Sequence, residues 1–189
     1  MSKLSLLSSL IAFSLLFQGC TSEKQEQKKI KNTTLKVNSN ELTLTTLQNE
    51  KLLLEKTAEG FKLKNSKAKI LILDIFATWC PPCQSEASVL ANIQKKYAKD
   101  IKVIGVTIEE NIPNEKLKTF KQNYSANYTL VNSSQNKQVI TTLTEQLKLG
   151  KNFGIPLLAI FKDGKLVKYY QGVVEEEFIE SDIKRALEI

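Results

Sequence analysis

The chain of 189 residues contains no histidine, and it has one arginine, one tryptophan and one methionine. Without histidine there is no imidazole general base, no Ser–His or Cys–His nucleophile pair, no histidine-ligated haem and no zinc site that depends on imidazole. The chemistry that remains belongs to cysteine, carboxylates, lysine or tyrosine. Cysteine is itself scarce, with three copies, Cys20, Cys80 and Cys83. The shortage of arginine bears on the formal net charge of +7, because every basic residue except Arg185 is a lysine. Lysine is the poorer group for bidentate recognition of phosphates or bases. Residues 21–40 set Lys24, Lys28, Lys29, Lys31 and Lys36 against Glu23 and Glu26, and no aromatic side chain interleaves with them as a stacking platform. The positive charge is therefore solvated surface, and no nucleic acid is expected as a partner. With 42% hydrophobic and 25% charged residues, the rest of the composition is that of an ordinary globular domain long enough to bury a core.

The first residues stand apart from that domain. Lys3 supplies a short positive start, Leu4 to Phe17 is apolar, and Gly19-Cys20 closes the stretch. It is too short to span a bilayer and has the form of a secretion signal over 1–19. Phe17-Gln18-Gly19-Cys20 resembles a bacterial lipobox, which would make Cys20 the lipidated N-terminus of the mature protein, although Phe17 and Gln18 depart from the common pattern. Residues 20–40 then form a charged tether and 41–189 the folded domain. More than one acyl chain on Cys20 would suffice for stable membrane anchoring.

Short apolar runs at Leu42, Leu44 and Leu47, at Leu52-Leu53-Leu54 and at Phe61-Leu63 predict an N-terminal β-hairpin region. Ile70 to Ala77 and Ile101 to Ile108 have the near-continuous apolar character of strands buried on both faces. Helical spacing follows at Val89, Leu90, Ile93 and Tyr97, at Leu117 and Phe120, and at Ile140, Leu143 and Leu147, with a short strand at Tyr128 to Val131. Asp163-Gly164 between two strand-like runs is a hairpin signal, and Ile179, Ile183, Ala186 and Leu187 mark a terminal helix. The alternation predicts an α/β fold with a central mixed sheet flanked by helices.

Within this pattern Trp79-Cys80-Pro81-Pro82-Cys83 carries the chemistry. A C-x-x-C pair can be half a zinc site, a local disulfide or a redox couple. Zinc would need two further soft or imidazole ligands, and only Cys20 remains, so no metal is expected. The pair falls where a buried strand ends and a helix begins, with Cys80 at the N-cap and Pro81 in the first turn, where proline forfeits no hydrogen bond. A thiol there meets the positive end of the helix dipole, so Cys80 is the expected nucleophile and Cys83 the resolving thiol. Pro81 and Pro82 lack N–H groups, leaving the amide of Cys83 as the first able to reach the Cys80 sulfur. Such a thiolate is less stabilised, which favours the reducing direction.

Phe76-Ala77-Thr78-Trp79-Cys80-Pro81-Pro82-Cys83, joined to Phe153-Gly154-Ile155-Pro156 and to Lys162-Asp163-Gly164-Lys165, resembles the TlpA/ResA type of thioredoxin-fold protein, the membrane-anchored extracytoplasmic thiol–disulfide oxidoreductases. The resemblance covers about 41–189, including a helix and strand between Ile112 and Val131 that simple thioredoxins lack. It implies a cis peptide bond before Pro156 facing the two cysteines, with the backbone of Ile155 pairing with a substrate peptide. It also implies a buried acid at Asp74, six residues before Cys80, that takes the proton from Cys83, and a thiol-tuning glutamate at Glu86. The same glutamate in a first helical turn would be favourable simply through the dipole. Ser88 stands where relatives often carry proline, so a kink there is expected to be mild or absent. Trp79 is placed to shield the disulfide and contact substrate.

The function these readings imply is extracytoplasmic reduction of protein disulfides, with no cofactor beyond the Cys80–Cys83 couple. The resemblance implies apocytochrome c among the substrates and a membrane thiol transporter of the DsbD/CcdA kind as electron donor. Two alternatives stay open at this point, an oxidase or isomerase on the same fold and a non-catalytic binding module in which Cys80–Cys83 is a structural disulfide.

Overall fold

Leucines alternating with polar residues open the part of the chain that the structure, a computed structural model, describes, namely residues 40–189. Cys20 and the segments 1–19 and 20–39 lie outside the described residues. The strands β1 (Glu41–Thr45), β2 (Lys51–Lys56) and β3 (Phe61–Leu63) form an antiparallel sheet in the order β1-β2-β3, so each of the three expected runs is a strand of the N-terminal hairpin region. Leu42, Leu44 and Leu54 turn inward from it and are buried, as the period of two requires.

The chain continues through β4 (Ile70–Phe76), α1 (Pro81–Lys96), β5 (Ile101–Thr107), α2 (Asn114–Asn123), β6 (Thr129–Val131), α3 (Asn136–Gln146), β7 (Leu157–Lys162), β8 (Lys165–Gln171) and α4 (Glu176–Leu187). Five strands make one mixed sheet in the order β6-β5-β4-β7-β8. The pairs β4–β5 and β5–β6 are parallel, whereas β7 and β8 return antiparallel. Asp163 and Gly164, with φ of 51° and 86°, supply the two left-handed positions of the tight β7–β8 turn. β7 lies between β4 and β8, so Pro156 opens an interior strand and not an edge. The edges are β8, with Lys165, Val167 and Lys168 exposed, and β6, which an isolated bridge from Thr46 to Val131 continues.

All seven residues of β4 are buried, because helices or the small sheet cover both of its faces. Ile70, Ile72 and Phe76 pack with Leu90 and Ile93 of α1, Leu117 and Phe120 of α2, and Ile179 and Ile183 of α4. Leu71, Leu73 and Ile75 pack on the other side with Leu42, Leu54, Val139 and Leu143. Strand alternation therefore sends Asp74 to the face shared by Ile72 and Phe76, the one that α1 covers. α1 runs without interruption through Ser88, as the absence of proline predicts. Among the described residues no helix is long and apolar enough to cross a membrane.

Candidate active site

At the C-terminal end of β4 the chain turns through Ala77, Thr78 and Trp79 before α1 begins. This turn is tied on three sides. The Cys80 N–H donates to the Ala77 carbonyl at 3.2 Å, the Glu109 carboxylate accepts from both the Thr78 N–H and its hydroxyl at 2.6 and 3.1 Å, and the Gln84 amide donates to the Thr78 carbonyl at 2.8 Å. Held this way, Cys80 occupies the N-cap of α1 with extended backbone, and Pro81 and Pro82 take the first two helical positions. Cys80 and Cys83 form a disulfide with Cα atoms 5.3 Å apart, within the ordinary range. The only backbone amide bonded to the Cys80 sulfur among the described residues is that of Cys83, at 3.3 Å. Two consecutive prolines leave no other donor in the turn.

The segment before β7 faces the disulfide. The Ile155–Pro156 peptide bond is cis, and the Ile155 carbonyl oxygen lies 3.9 Å from Cys80 Sγ. Pro156 is itself anchored, its carbonyl accepting from the Gly172 N–H at 2.8 Å. Two residues on, the Val174 N–H donates to Glu86 Oε1 at 3.3 Å. The Gly172–Val174 turn thus joins the proline loop to α1. Both cysteines are nearly inaccessible, but their surroundings are not. Trp79 is 63% exposed and Val173 53% exposed, and Pro81 and Pro82 are also at the surface. An apolar rim surrounds the disulfide.

Beneath it lies a buried acidic cluster. Asp74 is 3% exposed, and its Oδ2 accepts a hydrogen bond from the Tyr128 hydroxyl at 2.8 Å. Burial pushes the Asp74 carboxyl up to about 7, with the Tyr128 bond pulling in the opposite direction. Glu86 is buried as well, and its Oε2 has no hydrogen-bond partner. Burial first, and then the charge of Asp74, raise Glu86 to about 8, while the Val174 amide lowers it. The dipole explanation for Glu86 does not hold, since it is the sixth residue of a helix that starts at Pro81 and points inward. Among the described residues no group of three or more His, Cys, Asp or Glu is gathered as a metal site would need.

The structure therefore brings together Trp79, Cys80, Pro81, Pro82, Cys83, Ile155 and Pro156 at the top of the sheet and sets Asp74 and Glu86 below. Sequence reasoning missed Glu109, Tyr128 and Val173. Glu109 follows directly on the end of a buried strand, a common place for a loop-clamping acid, and was legible in principle. Nothing in the local sequence of Tyr128 or Val173 signals its place.

A cysteine pair at a helix N-terminus, facing a cis-proline at one end of a five-stranded mixed sheet, defines a thiol–disulfide oxidoreductase of the thioredoxin fold. The chain belongs to the redoxin family, whose profile matches residues 25–187. It is 27% identical to the thiol-disulfide oxidoreductase ResA of Bacillus thuringiensis subsp. konkukian over 134 residues, covering 67% of this chain and 70% of that protein. It is 32% identical to the thioredoxin-like protein YneN of Bacillus subtilis over 79 residues, 40% of this chain and less than half, 46%, of YneN. Its fold matches StoA from Bacillus subtilis with a TM-score of 0.54 and 18% identity, over 76% of this chain and 96% of StoA. It also matches a thiol:disulfide interchange protein from Chlorobium tepidum with a TM-score of 0.61 and 20% identity, over 78% and 94% of the two chains. The protein is a TlpA/ResA-like oxidoreductase with a thioredoxin-like domain.

Proposed function

We propose that this oxidoreductase works as a reductase of protein disulfides outside the cytoplasm. One observation carries the direction. A single amide, that of Cys83, reaches the Cys80 sulfur, because Pro81 and Pro82 supply none. Strong oxidants of this fold owe their potential to a well-stabilised thiolate in the reduced form. Here the donors are few.

In the reaction, the Cys80 thiolate attacks one sulfur of a substrate disulfide, forming a mixed disulfide and expelling the other substrate sulfur as a thiolate that takes up a proton. Asp74 accepts the proton of Cys83. The Cys83 thiolate then attacks Cys80 Sγ, closing the Cys80–Cys83 disulfide and releasing the second substrate thiol. Two electrons pass from the protein to the substrate, with one proton reaching the substrate sulfurs from Cys83 by way of Asp74 and the other from solvent, to which Cys80 had released its own. Trp79, Pro81, Pro82 and Val173 offer an apolar seat for the substrate chain, and the Ile155 backbone beside Pro156 aligns it. Glu86, which burial keeps protonated near neutral pH, tunes the couple by sparing the sulfurs a second negative neighbour.

The signal-like segment 1–19 and the lipobox-like Cys20 support a lipid-anchored protein facing the extracytoplasmic space. Re-reduction there requires a dithiol donor, and a membrane thiol transporter of the DsbD/CcdA kind fits that need. Apocytochrome c, whose haem motif carries two cysteines, is a substrate consistent with reductase chemistry. The test is trapping with Cys83→Ala, which leaves Cys80 to form mixed disulfides that cannot resolve. Captured proteins that carry paired cysteines, together with a reduction potential nearer the thioredoxin value of about −270 mV, are expected. A potential near the value of about −120 mV of the strong oxidant DsbA would overturn the reductase direction. An absence of any trapped species would point to a structural disulfide.

A further inference from the structure

Asp74 and Gly105 are paired across the parallel β4–β5 ladder. A Cβ on Gly105 would come within 2.6 Å of Leu130 Cδ2 and 3.0 Å of Tyr128 Cε2. A side chain there would have to push Leu130 aside and crowd the Tyr128 ring, so glycine leaves a notch in β5, and the ring lies against it. Tyr128 reaches this notch from the segment between α2 and β6, and its hydroxyl bonds Asp74 Oδ2, 54 positions away in the chain. The backbone behind the ring is fixed in turn. The Tyr128 carbonyl accepts from the half-buried Lys121 ammonium of α2 at 2.5 Å, and the Tyr128 N–H donates to the Ala126 carbonyl at 2.8 Å.

We propose that Tyr128 is a positioning residue for thiol–disulfide exchange, one that sorts the buried protons by making Asp74 the carboxyl that ionises first and leaving Glu86 as the acid. The proposal rests on the reading of Asp74 as the proton acceptor for Cys83. Of the two carboxyls only Asp74 receives a side-chain hydroxyl donor, whereas Glu86 Oε2 is buried without any partner. A donor at 2.8 Å favours the carboxylate over the acid, and a bare buried oxygen does the reverse. Tyr128 keeps its own proton for this task, because burial and then the charges of Asp74 and Glu86 push its phenol well above the usual range.

The surroundings add no rival donor. β5 offers Gly105 and β7 offers Leu158 opposite Asp74, neither of them titratable. α1 contributes Glu86 and the Cys80–Cys83 pair, and the acid of α4 on this face, Asp182, is engaged with Tyr170 and Arg185. The Lys121 ammonium is spent on the Tyr128 carbonyl.

Tyr128→Phe keeps the ring in the notch and deletes the donor. Disulfide reduction by the reduced protein, followed as kcat/KM against pH, then shows its acid limb displaced upward by about one pH unit, a tenfold loss at a fixed pH below the limb. A 13C carboxyl titration of oxidised Tyr128→Phe shows the Asp74 midpoint rising by the same amount, which a merely structural ring would not cause. Asp74→Asn removes the Asp74 step from the limb and leaves the step that ionisation of Cys80 itself contributes, and adding Tyr128→Phe to it changes nothing further. If Asp74→Asn removes its step but Tyr128→Phe leaves both limb and midpoint where they were, the role of Tyr128 is wrong while that of Asp74 stands. If Asp74→Asn leaves the whole profile unchanged, Asp74 is not the acceptor and both readings fall. Should Tyr128→Phe not fold, Tyr128 is tested in Asp74→Asn by ultraviolet phenol titration. Its midpoint falls if the pair is coupled while burial still holds it above the usual range, and an unmoved midpoint overturns the inference.

Discussion

Glu86 has one oxygen accounted for and one that is not. Oε1 accepts the Val174 amide, while Oε2 is sealed from solvent with no partner, one turn along α1 from Cys83. A carboxylate in that position would carry a buried charge with a single hydrogen bond, so the group holds its proton to about 8. Burial is the larger cause and Asp74 the second. Replacing Asp74 by asparagine removes only the second. The Glu86 midpoint is therefore expected to fall, by up to about one pH unit, and still to remain above the ordinary glutamate range. A carboxyl titration of oxidised Asp74→Asn measures this directly, and an unmoved Glu86 midpoint would mean that the two acids do not sense each other. At neutral pH the protonated Glu86 spares the sulfurs a second negative neighbour.

At the scale of elements, the N-terminus of α1 sets the thiol chemistry through what its first turn omits. An N-cap side chain ordinarily accepts from the amides of the second or third helical residue. Here Pro82 blocks the former and Cys83 supplies the latter. Pro82→Ala restores one donor without lengthening the turn. One charge-assisted hydrogen bond to the thiolate corresponds to a potential about 30 mV higher or more, with a lower Cys80 pKa. Equilibration against glutathione measures the potential, and an unchanged value would show that the missing amide is not what tunes the couple. This much was legible from the sequence, because a buried strand, a proline at the first helical position and the C-x-x-C spacing are local signals. The same signals fix the register of Glu86, since with Pro81 as the first helical residue the sixth falls in the second turn, but its burial against Val174 comes from the distant Gly172–Val174 turn and was not legible. Tyr128 was less legible still, since its partner Asp74 and the notch at Gly105 lie on other strands and only the assembled β4–β5–β6 ladder brings them together. The short run Phe61-Leu63 was legible as a strand, while its antiparallel pairing with Leu54 to Lys56 is set by the turn between them.

For the whole molecule, a raised carboxyl is also a statement about stability. The Asp74 acid titrates near 3.8 when unfolded and at about 7 when folded. Between these values the folded protein binds more protons than the unfolded chain, so Asp74 makes stability fall as pH rises through that window. The loss is complete above about 7 and amounts to something on the order of 4 kcal/mol. Asp74→Asn is thus expected to be more stable than the parent at pH 8, with the difference closing toward pH 4. Urea unfolding of the oxidised protein across this range measures it, and parallel curves for the two proteins would contradict it. Glu86 contributes a slope of the same sign, so the variant keeps part of the decline. The native protein accordingly holds a destabilising acid at the centre of its fold, under the disulfide.

The two flanks of the main sheet differ in how they end. β6 is three residues long and is continued by the bridge from Thr46, while β8 is seven residues long, outermost, and studded with Lys165 and Lys168. A bare strand edge invites another chain to add to it, and lysine on such an edge discourages that pairing. With one flank short and bridged and the other lysine-bearing, neither side of the main sheet is a ready template for another chain.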